Sequence, residues 1–235
     1  MDDMKVSVQK YDPSMDEAPY MKEFEVEYRP NMTVLEALVA INDDQEPVVF
    51  DYSCRGRTCG RCAMALNGQP CLACVTLVEE NGKNEITALP GFPIVRDLVV
   101  DKSMMNERIA KIMHRQRAFP LALDEINAPV DPEIYRKMDP LEHCARCGVC
   151  VSACPVVQMV GQKNYLGPAG MIAIGLRHYD PYDQGDRIVE AVQNGLWKCT
   201  QCGTCDTVCK ALEIDHQSVW VDLRAAATER GLVEG

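Results

Sequence analysis

Two runs of four cysteines in the second half of the chain have the types and spacing most clearly suited to chemistry. They are Cys144-x2-Cys147-x2-Cys150-x3-Cys154, followed by Pro155, and Cys199-x2-Cys202-x2-Cys205-x3-Cys209. Three thiolates on one tight loop can bind three irons of a cubane cluster, whereas the fourth cysteine of such a run binds the cluster of the other run. The spacing predicts two ligand sets: Cys144, Cys147, Cys150 and Cys209 for one cluster, and Cys154, Cys199, Cys202 and Cys205 for the other.

Structural zinc is the alternative ligand, because paired cysteines two residues apart also form zinc sites. A zinc site accounts for four ligands. It does not account for two complete runs that each place three residues before their last cysteine, so iron–sulfur clusters are favoured.

A third group of cysteines lies in the first half of the chain, as Cys54-x4-Cys59-x2-Cys62 and a later Cys74. This is the spacing of plant-type [2Fe–2S] ligands. The loop contains glycines that let backbone N–H groups turn toward sulfur. It also carries three arginines, which either raise the cluster potential and dock an acidic partner or are simply solvated.

Cys71 is the thirteenth cysteine and the one that three sets of four leave over. It forms a C-x2-C pair with Cys74 and is therefore a possible alternative ligand. The favoured interpretation is a small buried residue near the cluster.

Alternating apolar and polar residues predict strands in the first 100 residues, and one helix interrupts them. Thr33 begins that helix with a capping box to Glu36. The predicted strands cover residues 4–11, 22–29, 48–50, 75–78 and 86–89, with a loop at 12–19 and a turn at Asn81-Gly82. A sheet with one crossing helix and a cluster loop describes a β-grasp ferredoxin domain.

From about residue 101 the pattern becomes helical. Met104, Met105, Ile109, Ile112 and Met113 predict one amphipathic helix. Four prolines predict an extended connector over 119–140, and further helices are expected at 168–176, 186–196 and 219–230. The predicted fold class is therefore α+β: a β-grasp [2Fe–2S] domain at 1–100, then a helical domain at 101–235 that holds two cubane clusters.

Composition limits which partners and which cellular compartment are expected. The 235 residues carry a formal net charge of −11, which argues against a nucleic-acid partner because such binding needs a basic surface. The first residues lack the pattern of a signal peptide, and no stretch is apolar enough to span a membrane. We expect a cytoplasmic protein that reaches the inner face of the membrane only through partner subunits.

Taken together, these motifs resemble the iron–sulfur subunit of the succinate dehydrogenase and fumarate reductase family along the whole chain. The residues that carry the resemblance are Ser53 to Cys62, Leu72-Ala73-Cys74, Cys144 to Pro155, Gly167-Pro168-Ala169-Gly170 and Cys199 to Cys209. The resemblance implies an electron relay without a substrate site of its own. Its implied partners are a catalytic subunit with FAD, which interconverts succinate and fumarate, and a third subunit that is a membrane anchor with a quinone site.

Three positions differ from the usual pattern of that family. An apolar residue usually stands where this chain has Cys202, so the last cluster is expected to be [4Fe–4S] rather than [3Fe–4S]. Tryptophan and histidine associated with the quinone site are replaced by Val156–Met159 and Thr200. These differences resemble a branch of the family whose third subunit is cysteine-rich and lacks haem.

Two other functions remain open. One is a relay subunit for a related flavoprotein or for a reductase linked to thiols and disulfides. The other is a diffusible ferredoxin, which does not require the extra helices and connector. The sequence leaves open the direction of the reaction, the dicarboxylate and the final electron acceptor.

Overall fold

The computed structural model describes residues 3–117, 124, 128–210 and 214–233. The chain forms two compact units. The first comprises Met1–Lys102, Ala145–Ala153 and Thr207–Ala211, and the second comprises Ser103–Cys144, Cys154–Asp206 and Leu212–Gly235. The chain thus crosses between the units within both cysteine runs. The predicted domain boundary near residue 100 stays a prediction.

A mixed five-stranded sheet forms the first unit. Its strands are β1 (Asp3–Lys10), β2 (Tyr20–Glu27), β3 (Ala63–Leu66), β4 (Gln69–Leu72) and β5 (Glu85–Thr87), in the order β2-β1-β5-β3-β4. The pair β1–β2 is antiparallel, whereas β1 runs parallel to β5. Strands β6 (Ile94–Arg96) and β7 (Val99–Val100) form a separate pair. This is the predicted β-grasp arrangement.

The helix α1 (Val34–Asp44) packs on this sheet as the alternation in the sequence requires. Val6 and Val8 of β1 are fully buried, and so are Leu38 and Ile41 of α1. The predicted capping box is present. The Glu36 N–H donates to Thr33 Oγ1 at 3.2 Å, and the Thr33 N–H donates to Glu36 Oε2 at 2.8 Å.

Two predicted strands of the first unit are wrong. Residues 48–50 have no strand partner, because the Val49 N–H donates instead to the carboxylate of Asp97 at 2.8 Å. Residues 75–78 form the end of a turn and one isolated bridge between Thr33 and Leu77. The hairpin β3–β4 was missed, although its two-residue turn Asn67-Gly68, with φ of 51° and 76°, is a strong hairpin signal.

The remaining regular structure is helical. The helices are α2 (Ser103–Met113), α3 (Pro132–Glu142), α4 (Val149–Ala153), α5 (Pro155–Val160), α6 (Pro168–Tyr179), α7 (Arg187–Gln193), α8 (Thr204–Val208) and α9 (His216–Glu229), with a 3₁₀ turn at Leu196–Lys198. Among them, α4 belongs to the first unit and packs on β4. Within the described ranges, no helix combines the length and the apolarity that crossing a membrane requires.

The helix α6 is the centre of the second unit, where it packs against α2, α3, α7 and α9. Its residues 168–177 are all buried. Gly175 allows the close approach of α9, since a Cβ there would lie 2.4 Å from Val219 Cγ1. The predicted extended connector is wrong from Pro132 onward, where Asp131 caps α3 and Pro132 occupies its first turn. Its earlier part, at 119–123 and 125–127, lies outside the described residues.

Candidate iron–sulfur sites

The loop that carries Cys54, Cys59 and Cys62 turns its own backbone toward sulfur. The N–H groups of Gly56 and Cys59 approach the sulfur of Cys54 at 3.4 and 3.3 Å. These donors lower the pKa of Cys54 to about 7. The same backbone N–H groups can stabilise the negative charge that this sulfur carries when it binds a metal as a thiolate.

Cys74 completes this group from the turn that follows β4. Its sulfur accepts the Arg57 N–H at 3.4 Å, and Cys62 lies near enough for the two thiols to interact. Burial raises the pKa of Cys62 to about 12. Cys71 lies in β4 and is buried, as its favoured interpretation predicted. The four predicted [2Fe–2S] ligands thus lie together in the first unit.

The next predicted site begins directly beside this loop. A Cβ on Gly60 would lie only 2.6 Å from Cys147 Cβ and 3.0 Å from the carbonyl oxygen of Ala145. Lys102 is partly buried in the same unit. Burial lowers the pKa of Lys102, while negative charge on Cys147 and Cys62 counteracts that shift. The Lys102 ammonium is therefore within electrostatic reach of cysteines from two predicted ligand sets.

Cys147, Cys150 and Cys209 belong to the first unit, and Cys144 belongs to the second. Cys150 is buried on α4, whose residue Ser152 donates from its hydroxyl to the carbonyl of Pro90 at 2.7 Å. This hydrogen bond fixes α4, and with it Cys150, to the preceding loop. The assignment of these four cysteines to one cluster stays a prediction.

The third predicted ligand set lies inside the second unit. One pocket, with about 420 Å³ of empty space including its opening, is lined by Cys154, Cys199, Cys202 and Cys205. Cys154 precedes α5, and Cys205 lies in α8. Four sulfurs that are separated by up to fifty-one positions thus border one space.

Each of the two cysteine runs places positive φ angles at equivalent positions. Arg146 and Gly148 flank Cys147 with φ of 49° and 88°, and Gln201 and Gly203 flank Cys202 with φ of 53° and 75°. Left-handed backbone is unfavourable for arginine and glutamine and persists only where the surroundings require it. Cys202 therefore occupies the same place in its loop as Cys147.

The thiols of the third set differ in their surroundings. Cys202 is exposed, and its sulfur lies 3.3 Å from the hydroxyl of Thr204, which lowers the pKa of Cys202. Burial raises the pKa of Cys205 to about 12 and also raises the pKa of Cys154. The Arg224 guanidinium donates to the carbonyl oxygen of Cys199 at 2.6 Å and so fixes the beginning of the loop.

Three polar residues of this pocket were not identified from the sequence as functional. Tyr165, His216 and Trp220 are all buried, and all three line the space between the cysteines. Tyr165 comes from the segment before α6, and His216 and Trp220 come from α9. Both regions lie outside the two cysteine runs. No motif marks them, because their role depends only on which side chains the fold brings to the sulfurs.

The donor sets fit iron–sulfur clusters. All thirteen cysteines lie in described residues, and no disulfide joins any of them. The third set borders one pocket, where Gln201 N–H also approaches the sulfur of Cys199 at 3.3 Å. Thiolates on glycine-containing loops with inward N–H groups are the environment in which proteins hold such clusters.

Comparison with known proteins identifies the class first. Residues 5–107 match the family described as the 2Fe-2S iron-sulfur cluster binding domain, and residues 140–212 match the 4Fe-4S dicluster domain. The chain is thus an iron–sulfur protein with both types of ferredoxin domain. The order of the two domains along the chain agrees with the predicted fold class.

The relatives identify the family. The fumarate reductase iron-sulfur subunit of Escherichia coli O6:H1 is 33% identical over 239 residues, which cover 100% of this chain and 93% of that protein. A fumarate reductase (CoM/CoB) subunit of Methanothermobacter marburgensis is 32% identical over 97% of this chain, which spans 45% of that relative. The chain belongs to the succinate dehydrogenase/fumarate reductase family of iron–sulfur subunits, and its function is electron transfer.

A solved structure supports the fold. A chain of the Mycobacterium smegmatis Sdh1 complex in the apo form matches with a TM-score of 0.86 and 24% identity, over 97% of this chain and 96% of that chain. The agreement in fold extends over both ferredoxin domains. The predicted fold class is therefore confirmed, and the relatives described above confirm the predicted membership of this family.

Proposed function

We propose that this chain relays electrons between a catalytic subunit that contains FAD and a third subunit, in a complex that interconverts succinate and fumarate. Iron–sulfur clusters supply one-electron carriers. The residues of this chain bind them, set their order and control their access to solvent. The substrate is bound by the catalytic subunit and not by this chain.

The observation that carries the proposal is the contact between two cysteine loops of the first unit. Gly60 follows Cys59 of one predicted ligand set and lies directly against Cys147 of the next. Two carriers held by these loops are therefore separated by little more than the loops themselves. Such proximity is what a relay requires, and a binding domain without electron transfer does not require it.

The solvent exposure of the cysteines indicates which of the three predicted ligand sets can exchange electrons with partners. Among the thirteen cysteines, all of them in the described ranges, only Cys54 and Cys202 are exposed. One belongs to the first predicted set and the other to the last. Electrons can therefore be exchanged with partners at these two sets, whereas the four cysteines of the middle set are more shielded.

We also propose [4Fe–4S] for the last cluster, because Cys202 takes the loop position that Cys147 takes in the other run. The complete ligand sets are Cys54, Cys59, Cys62 and Cys74; Cys144, Cys147, Cys150 and Cys209; and Cys154, Cys199, Cys202 and Cys205. The same proposal divides the chain into a [2Fe–2S] domain at 1–100 and a helical domain at 101–235. It places the subunit in the cytoplasm, peripheral to the membrane through its partners.

A relay linked to thiols and disulfides is the second candidate. One of the similar proteins is named a fumarate reductase (CoM/CoB), and this chain aligns with it over 97% of its own length. In this version the third subunit is cysteine-rich and exchanges electrons with thiols instead of a quinone. Thr200 and the Val156–Met159 segment, which replace the usual quinone-site residues, favour this version.

Purification of the native complex under anaerobic conditions tests these proposals. We expect the chain to copurify with a flavoprotein, and we expect the complex to reduce fumarate or oxidise succinate with an artificial dye. Assays with a quinol and with a dithiol then distinguish the two versions. A chain that elutes alone and reduces a flavoprotein only transiently would contradict both and support a diffusible ferredoxin.

A further inference from the structure

Two buried side chains with hydrogen-bond donors line the pocket of the last ligand set. Tyr165 is 0% exposed and Trp220 is 2% exposed. The Trp220 Nε1 makes no hydrogen bond to any described residue, and the Tyr165 hydroxyl has no described partner other than the thiol of Cys199. Both side chains line the pocket of Cys154, Cys199 and Cys205.

A buried donor without an acceptor is unfavourable. Native proteins therefore seldom retain such groups without a compensating function. Here two of them border the same space. The acceptor for both is therefore expected in that space, where sulfur atoms are the ligand-binding groups.

The surrounding structure holds the Tyr165 ring in place. Gly195 has a φ of 93°, and a Cβ there would lie 2.9 Å from Tyr165 Cδ2, so the absence of a side chain makes room for the ring. The ring thus has a defined place in the pocket that two of the predicted ligands, Cys154 and Cys199, also line.

The third polar side chain of the pocket is already paired. His216 Nδ1 lies 2.9 Å from the carbonyl oxygen of Ile214 and 3.1 Å from Asp206 Oδ1. Both of these atoms are acceptors, so Nδ1 carries the hydrogen. Tyr165 and Trp220 differ from His216, because neither donor has an oxygen or nitrogen acceptor among the described residues.

We propose that the Tyr165 hydroxyl and the Trp220 indole N–H donate hydrogen bonds to sulfur atoms of the cluster held by Cys154, Cys199, Cys202 and Cys205, and that they raise its reduction potential. The reduced cluster carries one more negative charge than the oxidised one, so a donor to sulfur stabilises it preferentially. Neither residue binds iron, and each acts on the cluster through a hydrogen bond to sulfur. The inference rests on the proposed ligand set for this cluster.

The chain contains matched controls for both residues. Tyr179 donates its hydroxyl to Asp222 Oδ2 at 2.7 Å, and Trp197 donates its Nε1 to the carbonyl of Leu232 at 2.9 Å. Neither lines the pocket. Tyr179→Phe and Trp197→Phe therefore remove the same chemical groups as Tyr165→Phe and Trp220→Phe, but from acceptors within the protein.

The test is a redox titration of the purified complex, followed by low-temperature EPR at each of the three clusters. We expect Tyr165→Phe and Trp220→Phe to shift the potential of the last cluster to more negative values and to leave the other two unchanged. Tyr179→Phe and Trp197→Phe should shift none of them. An unchanged potential in both pocket variants with full iron content, or an equal shift in the controls, would overturn the proposal.

A measurement on the wild-type complex tests the proposal even if the variants lose the cluster. After exchange into deuterium oxide, pulsed EPR of the reduced last cluster should detect exchangeable deuterons close to sulfur, and Tyr165→Phe should remove one coupling. Absence of such couplings in the wild type would overturn the proposal even if no variant retains iron. Copurification with a flavoprotein distinguishes this result from failure of the proposed function, in which the chain would elute alone with its clusters present.

Discussion

The cluster loop of the first unit and the pocket of the second unit hold sulfur in different ways. At Cys54 the donors are backbone N–H groups of the loop itself, from Gly56 and Cys59. In the pocket, backbone N–H groups also reach sulfur, as at Cys199 and Cys154, and buried side chains from distant parts of the chain line the same space. The donors at Cys54 are local, whereas the pocket depends in addition on tertiary structure.

The pKa values follow this contrast for Cys54 and Cys205, but not for the buried Cys62 of the loop or the exposed Cys202 of the pocket. Backbone donors lower the pKa of Cys54 to about 7, while burial raises the pKa of Cys205 to about 12. Backbone N–H groups of the loop therefore stabilise the thiolate of Cys54. The thiolate of Cys205 depends on the metal and on the donors that surround it in the pocket. We expect the two regions to respond differently to equivalent substitutions, and the following predictions test that expectation.

The largest effect is expected for Cys59→Ala in the exposed loop. Removing this thiolate leaves only three of the four predicted [2Fe–2S] ligands, so the [2Fe–2S] EPR signal should disappear while the cubane signals remain. The backbone N–H of Cys59, which approaches Cys54, is retained in the variant. EPR of the anaerobically purified complex measures the outcome, together with electron transfer to the natural acceptor, which should stop.

Cys71→Ala is the matched control for that substitution. Cys71 is buried in β4 and lies outside the predicted ligand set. The variant should keep the [2Fe–2S] signal. Normal turnover of Cys59→Ala without its cluster would place that cluster outside the main path, and loss of the signal in Cys71→Ala alone would make Cys71 the ligand.

Equivalent removal of a thiolate from the pocket should have a smaller effect. Cys202 is exposed at the border of the pocket, while Cys154, Cys199 and Cys205 are less accessible. Cys202→Val should therefore release one iron and convert the last cluster to [3Fe–4S]. The measurement is the sharp EPR signal of an oxidised three-iron cluster, with the other two clusters unchanged.

Thr204→Val is the control, since it removes the hydroxyl 3.3 Å from the Cys202 sulfur but retains the thiolate. This variant should keep [4Fe–4S]. If the strictly anaerobic wild type already shows the three-iron signal at one spin per protein, then Cys202 is not a ligand and its proposed role is wrong.

The same contrast explains what the sequence could predict. The ligand spacing, the β-grasp order and the capping box of Thr33 and Glu36 are local patterns, so they could be identified without coordinates. The hairpin turn at Asn67-Gly68 was equally local and was overlooked. Residues 48–50 have the composition of a strand, but a side chain distant in sequence, Asp97, satisfies the N–H of Val49.

The connector shows the limit of composition more clearly. Four prolines indicated extended chain, yet Pro132 fits the first turn of α3 because that position needs no N–H donor. Pro140 lies near the end of the same helix. Tyr165 and Trp220 could not be identified from any pattern, since their position beside sulfur results from packing between α9 and the segment before α6.

The smallest effect is expected for the glycines that follow the second cysteine of each loop. Gly60 and Gly203 both have positive φ, of 66° and 75°. Alanine in this conformation costs about 1–2 kcal/mol at either position. A Cβ on Gly60 would also meet the Cβ of Cys147 at 2.6 Å, whereas a Cβ on Gly203 would meet the end of the flexible Gln217 side chain at 3.1 Å.

Gly60→Ala should therefore destabilise the protein more than Gly203→Ala, by about 1–3 kcal/mol of additional overpacking. The measurement is the temperature at which each purified complex loses the visible circular dichroism of its clusters. Gly91→Ala is the control for strain alone, because Gly91 has a φ of 80° and no atom within 4 Å of the added Cβ. We expect Gly203→Ala to resemble Gly91→Ala. If Gly60→Ala resembles them as well, the contact between Gly60 and Cys147 does not constrain the loop.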